Sequence, residues 1–326
     1  MYQFKKTLLV FFFLGKALVM PAQTASIDSL RFIIRFNNDN VKKINAYKAL
    51  ANALIFKDFD ACQETAIAGA ALAEKIKDDA SLSELKKYLG LSWYFKGVYD
   101  SAAVYYYKSL EIAKKVKNLS VKAGVLNELG KLYRKTRDLD RSLQMYNEAY
   151  EIYKKLNNES EMATILNESG VVFEYKEDFA EAINRYKSSL AIREKLKDEV
   201  GIAYSYNFLG GVYTIQKKFK EAEDYLIKSL ELRKKLKDSF AIALSYSDLG
   251  YMYKEQADYT RAADQYNLSN ILAEKMRYAE LLQANFRELA AIAEKTGNFA
   301  LSLAYYKKQA SLKDSIYSGD KMKQIE

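Results

Sequence analysis

The chain has no histidine, one cysteine (Cys62), one proline (Pro21) and one tryptophan among 326 residues. Without an imidazole, and with a single thiol, neither the Ser-His and Cys-His catalytic arrangements nor the common structural metal sites can be assembled. One cysteine cannot form an internal disulfide, so thiol content is silent about redox compartment. Carboxylates are plentiful, but no spacing focuses two of them on one pocket. No catalysis, cofactor or metal is therefore expected of these residues. A dense basic stripe is also missing. The formal charge of +9 includes Lys5, Lys6 and Lys16, which leaves +6 beyond residue 22 on a long chain of mixed sign. That is too mild and too dispersed to point to a nucleic-acid partner.

What is present is a period. Phe59, Tyr99, Leu139, Phe179, Phe219, Tyr259 and Phe299 stand 40 residues apart, and Gly90, Gly130, Gly170, Gly210 and Gly250 keep the same interval, with Ala290 following. A third series, Ile76, Val116, Leu156, Leu196, Leu236 and Met276, has the same spacing. The unit Glu161–Val200 reads as two helices, Met162–Lys176 and Phe179–Lys197, joined at Glu177-Asp178 with Asp178 as N-cap. Ala163, Leu166, Gly170 and Phe173 form one apolar stripe, and Ala182, Ile183, Tyr186 and Leu190 form the other. Neither helix can bury its stripe alone, so the unit needs neighbours of its own kind. The predicted fold is all-α, a solenoid of about seven repeats over 41–316.

The details match a known pattern: Tyr246, Leu249, Gly250, Tyr253, Ala262 and Tyr266; Tyr206, Leu209, Gly210, Tyr213, Ala222 and Leu226; Leu126, Leu129, Gly130, Tyr133, Ser142 and Tyr146. Lys86, Leu89, Gly90, Trp93, Ala102 and Tyr106 fit except at the first place. The chain resembles the tetratricopeptide repeat family over about 275 residues. It departs in having a longer unit and no proline closing each repeat, and in this is similar to kinesin light chain arrays. The resemblance implies a right-handed superhelix. Glycine in a helix costs roughly 1 kcal/mol relative to alanine, so five at one position need a reason. The reason expected is close approach of the paired helix, with the aromatic a turn later (Tyr133, Phe173, Tyr213, Tyr253) filling the adjacent space. Cys62 is expected as a small buried residue.

The resemblance further implies that the first helices line a concave groove. Asn127, Asn167 and Asn207 recur on that face with Ser247 next, beside Lys131, Arg134, Tyr204 and Tyr251. These eight are the candidate ligand-binding residues. An asparagine ladder suits peptide capture, since each amide offers a donor and an acceptor to an extended backbone. The alternative is that these amides bond their own neighbouring helices or simply face solvent. With Glu174 and Lys254 also present, the groove singles out neither an acidic nor a basic ligand.

Residues 1–22 read as an export signal: basic Lys5-Lys6, apolar Leu8–Leu14, and Pro21-Ala22 before a polar stretch, with cleavage expected after Ala22 and Ala25 as the reserve. The protein is thus expected to be exported, periplasmic or secreted, and to meet a membrane only through an uncleaved N-terminus or a missing C-terminal segment. In residues 23–40, Ile27, Leu30, Ile33 and Ile34 predict a short capping helix ending at Asn37–Asn40. Residues 317–326 read as the start of a C-terminal helix or connector. Together with the Lys313-Asp314-Ser315-Ile316 junction, this layout resembles the sensory region of bacterial histidine kinase or helix-turn-helix regulators. Two functions follow: an exported module that binds a protein or peptide segment in its groove, or the signal-input region of a membrane sensor whose output domains are absent.

Overall fold

A computed structural model describes residues 26–55, 57–276 and 278–323 of the chain. The expected export segment 1–22 and its cleavage point lie outside them. Among the described residues there are fifteen helices and no strand. They are α1 (Ile27–Phe36), α2 (Asn40–Leu54), α3 (Phe59–Lys75), α4 (Asp79–Phe95), α5 (Tyr99–Lys115), α6 (Leu119–Lys135), α7 (Leu139–Lys155), α8 (Glu159–Tyr175), α9 (Phe179–Lys195), α10 (Glu199–Ile215), α11 (Phe219–Lys235), α12 (Ser239–Glu255), α13 (Tyr259–Lys275), α14 (Ala279–Lys295) and α15 (Phe299–Lys323). From α2 onward they form seven pairs.

The turns explain why the helices stop where they do. After α8, Glu177 adopts φ 61°. The Asp178 N–H then reaches the Phe173 carbonyl at 2.9 Å, and the Glu177 N–H reaches that of Glu174 at 3.0 Å. This pattern satisfies carbonyls that the helix end would otherwise leave open. Asp178 next serves as N-cap of α9, its side chain accepting the Glu181 N–H. One residue closes a helix and opens the next. Asp138, Asp198, Asp238 and Asp258 cap their helices in the same way. Among the described residues, Gly97 and Gly297 supply glycine at the left-handed position, and Lys, Arg, Asn, Glu or Ala occupies it in nine other turns.

In four of the pairs the glycine of the first helix meets an aromatic ring, but not the one expected, and Gly210 meets Leu226. A Cβ on Gly170 would fall 2.4 Å from Tyr186 Cε1, and one on Gly130 would fall 2.5 Å from Tyr146 Cε1. The space beside the glycine is filled from the second helix, across the turn, rather than by Phe173 or Tyr133. Tyr106, Tyr146, Tyr186 and Tyr266 are consequently the largest fully buried side chains. Serines supply a second device. Ser109, Ser189, Ser229 and Ser269 donate their hydroxyls to the carbonyls of Ser83, Ala163, Ala203 and Ala243 at 2.6–2.8 Å, tying each second helix to its first. Cys62 is buried, donating to the Ala51 carbonyl, and burial pushes its thiol up to about 12.

Successive first helices touch one another from α2 to α14, whereas the second helices touch only first helices. The array therefore curves with the first helices inside. At the N-terminal end, α1 packs on α2 through Leu30, Ile27, Ile33 and Ile34 and covers its apolar face. At the other end no new helix begins near 317; α15 continues unbroken to Lys323. No helix among the described residues is long and apolar enough to cross a membrane.

Candidate functional site

Residues three, four and seven apart on α6, α8, α10 and α12 share the concave face. The groove floor is polar. On α6, Lys131 pairs with Glu128 at 3.1 Å. Arg134 pairs with Glu168 of α8 at 3.2 Å, and the Tyr146 hydroxyl also reaches Glu168 at 3.4 Å. Burial alone would lower the Arg134 pKa, but Tyr146, Glu168 and Tyr94 around it raise it instead. On α12 and α14, Lys254 meets Glu288 at 2.8 Å, and Arg287 meets the same carboxylate at 3.1 Å.

The asparagines lie on this face but are closed off from water. Asn127, Asn167 and Asn207 are 6%, 5% and 9% exposed. Asn167 donates to Ser205 of the next first helix at 3.4 Å. Asn207 accepts from Arg233 of α11 at 3.4 Å and hydrogen-bonds Asp248. Ser247 donates to Asn285 at 2.7 Å. Asn167, Asn207 and Ser247 thus bond neighbouring helices, whereas Asn127 Oδ1 meets no donor. Of the remaining candidates, Lys131 and Arg134 are in the ion pairs above. The Tyr204 ring lies under the Arg233 guanidinium at 5.3 Å, and the Tyr251 ring under the Lys254 ammonium at 4.7 Å. The eight residues thus spread along one face of α6, α8, α10 and α12 rather than gathering in one pocket.

An N127A/N167A/N207A variant should therefore melt at lower temperature than the parent. Each lost inter-helix hydrogen bond contributes about 1 kcal/mol, and unpaired partners such as Ser205 and Asp248 add to the loss. An unchanged thermal unfolding curve would remove the structural role assigned to these amides.

Sequence reasoning missed one groove-floor group, Arg233, and gave no role to another, Glu174. Arg233 is buried, and its Nη1 donates to the Ser245 hydroxyl at 2.6 Å and the Ala241 carbonyl at 3.2 Å. Glu174 accepts the Tyr186 hydroxyl at 2.6 Å. Burial pushes the Glu174 carboxyl up to about 7, against the opposing Tyr186 hydrogen bond and the Arg134 charge. Burial likewise pushes Asp248 up to about 6, against Arg233 and the Asn207 hydrogen bond. Among the described residues no three potential metal ligands of the His, Cys, Asp and Glu types come together.

The sign of the Glu174 effect is testable. A carboxyl raised in the folded state ionises first in the unfolded chain. Stability then falls as pH climbs from the ordinary carboxylate range through about 7. The groups facing it are Tyr186, Arg134 and Glu168. Glu174→Gln removes the ionisation while keeping an acceptor for Tyr186. It should be more stable than the parent by about 1–3 kcal/mol at pH 8 and equal to it at pH 4. Urea titrations of both proteins across that range would show this, and parallel curves would contradict it.

Comparison with known proteins bears on the same helices. A family model described as tetratricopeptide repeat matches residues 82–155, 121–195 and 201–269, more than half of the chain. No curated protein matches the chain. Among solved structures it is similar to BtubC (BKLC) from P. vanneervenii, with TM-score 0.54 and 22% identity, over 72% of this chain and 92% of that one. It is also similar to aspartyl phosphate phosphatase F from Bacillus subtilis, with TM-score 0.63 and 15% identity over 87% and 74%. A third is the Rap conjugation gene regulator of the plasmid pLS20 in complex with the Phr* peptide, with TM-score 0.65 and 16% identity over 86% and 76%. At these identities the likeness is one of fold.

Proposed function

Because the chain belongs to the tetratricopeptide repeat family, we propose that it is a protein-interaction module that captures an extended segment of a partner along the concave face of α4 to α14. The observation that carries this reading is the lining. Arg134, Glu168 and Glu288 are nearly excluded from water on the inner face of a stack that apolar residues could hold together equally well. Replacing a buried ion pair by apolar groups is often neutral or stabilising, so stability alone does not account for them. A structural neighbour that holds the Phr* peptide has a similar fold, which supports a peptide as the kind of segment bound. The Lys5-Lys6, Leu8–Leu14 and Pro21-Ala22 pattern supports export as the setting.

A photo-crosslinking residue placed at Tyr251 in the groove, and separately at exposed Val104 on α5, tests this in the cells that make the protein. A partner joined to the Tyr251 variant and absent from the Val104 variant is the expected result. Crosslinks from Val104 alone, or from neither, would rule the groove out.

A second reading, input region of a membrane sensor, is favoured by α15. It runs 25 residues where α3 to α14 have 17 each, as a helix leading into a connector would. Intact mass of the protein from soluble and membrane fractions of its native cells separates the two readings. A soluble species lacking the first 22 or so residues supports the exported module. A larger, membrane-bound species supports the sensor.

A further inference from the structure

We propose that the open face of α15 is a dimer interface, on which a second copy of this chain packs its own α15 antiparallel to the first. The inference is independent of groove capture, because this face belongs to the last helix and not to the first helices that line the groove. Four positions define it: Phe299, Leu303, Tyr306 and Ala310, spaced four, three and four residues apart on one side of the helix.

In the earlier second helices these positions face the first helix that follows. At the position of Phe299, Phe59 stacks on Phe95 of α4 with ring centroids 5.6 Å apart. At that of Leu303, Gln63 accepts from Lys96 of α4 at 2.6 Å, and Glu223 accepts from Tyr253 of α12. At that of Tyr306, Tyr146 donates to Glu168 of α8, and Tyr186 stacks on Phe208 of α10. At that of Ala310, Asn270 accepts from Asn285 of α14 at 2.8 Å. The same face is an interface wherever else it occurs.

On α15 it has no cover. Among the described residues this helix packs on α14 alone. It also runs on to Lys323, past the point at which the other second helices turn back after seventeen residues. The chain therefore does not return over this face within the described residues. Phe299, Leu303 and Tyr306 are 69%, 55% and 42% exposed, whereas Tyr106, Tyr146, Tyr186 and Tyr266, at the position of Tyr306, are fully buried. The opposite end of the stack is closed by α1. An uncovered apolar end of a repeat array is a surface for association.

The order of the side chains selects a second copy. The spacing reads the same in both directions, so a two-fold axis between Leu303 and Tyr306 sets Phe299 opposite the partner subunit's Ala310. The same axis sets Leu303 opposite the partner subunit's Tyr306. A large group meets a small one at each end of the stripe, and one patch serves both sides, as a two-fold interface requires. Lys308 lies over the Phe286 ring of α14 at 5.2 Å, which keeps its charge off the seam. Side chains this open leave roughly 400 Å² of apolar surface on each copy. Interfaces are only a little over half apolar, so that corresponds to a face of roughly 700 Å². One side of a standard interface buries about 800 Å².

Sedimentation velocity of the full chain should show a monomer–dimer equilibrium, with dimer dominant at about 100 µM. Leu303→Glu places two carboxylates in the seam and should leave only monomer at that concentration. Ile271→Glu, at an exposed position of α13, should leave the dimer intact. A short thiol-specific crosslinker reads the geometry, since the native Cys62 is buried and does not compete. F299C mixed with A310C should be joined, and F299C alone should not, because the axis holds the two copies of that position far apart. This arm keeps the test valid if L303E does not fold. A dimer that survives L303E, or F299C joined to itself, would overturn the proposal. A parent that stays monomeric would also overturn it, and would give the face to a foreign helix or to further chain beyond α15.

Discussion

Replacing Arg134 by methionine should cost the protein about 3–5 kcal/mol of stability. The substitution leaves Glu168, only 1% exposed, without its cation at the floor of the groove, with the Tyr146 hydroxyl as its remaining donor. Breaking a buried pair from one side is expensive because the surviving charge keeps its desolvation penalty and loses its compensation. The double variant R134M/E168L removes both charges and fills a similar volume. It should recover most of the loss in urea denaturation, while peptide capture stays impaired because the polar floor is gone. If R134M alone were nearly silent, the pair would be solvated in solution rather than buried.

Tyr186→Ala should be comparably severe, at about 3–5 kcal/mol. The ring is fully buried, covers the bare face of Gly170, stacks on Phe208 at 5.0 Å between centroids, and gives its hydroxyl to Glu174. Truncation would open a cavity between α8 and α9 and strip Glu174 of its donor. The converse substitution tests the same contact from the other side. Gly170→Ala gains roughly 1 kcal/mol of helix propensity, yet its Cβ would lie 2.4 Å from the ring. The clash outweighs the propensity, and a net loss of about 1–3 kcal/mol is expected. Gly124→Ala is the control: its Cβ would meet nothing closer than 3.7 Å, so the propensity gain should appear as added stability. Equal effects at the two glycines would show that close packing is not why Gly170 is glycine.

Much of this architecture is legible in the residues because the 40-residue period and the 3.6-residue helical face are both short-range patterns. Asp178 as cap, the solenoid, and burial of Cys62 follow from local chemistry. The partner of Gly170 did not. A tyrosine or phenylalanine three residues on is the nearest aromatic in sequence, but the contact comes from sixteen residues away, across a turn whose geometry the sequence does not display. Arg193 and Arg233 look like cations placed to complement helix C-termini, and they are buried instead. The signal was available in their series, where Ala73, Ala113 and Ala273 occupy the same repeat position and are buried too. Asn127, Asn167 and Asn207 share one helical face in the sequence, but their exposure depends on how closely successive first helices approach. That distance is a property of the superhelix, not of any one helix.

The most direct test of groove capture is to find where a bound peptide touches the protein. A selected peptide carrying a central benzophenone, irradiated in complex and mapped by mass spectrometry, gives that position. The account predicts crosslinks confined to the inner faces of α6, α8, α10 and α12, among residues such as Lys131, Val171, Tyr204 and Tyr251. Crosslinks on the outward surfaces of α7, α9 and α11, or on the exposed Phe299 and Leu303 of α15, would contradict it.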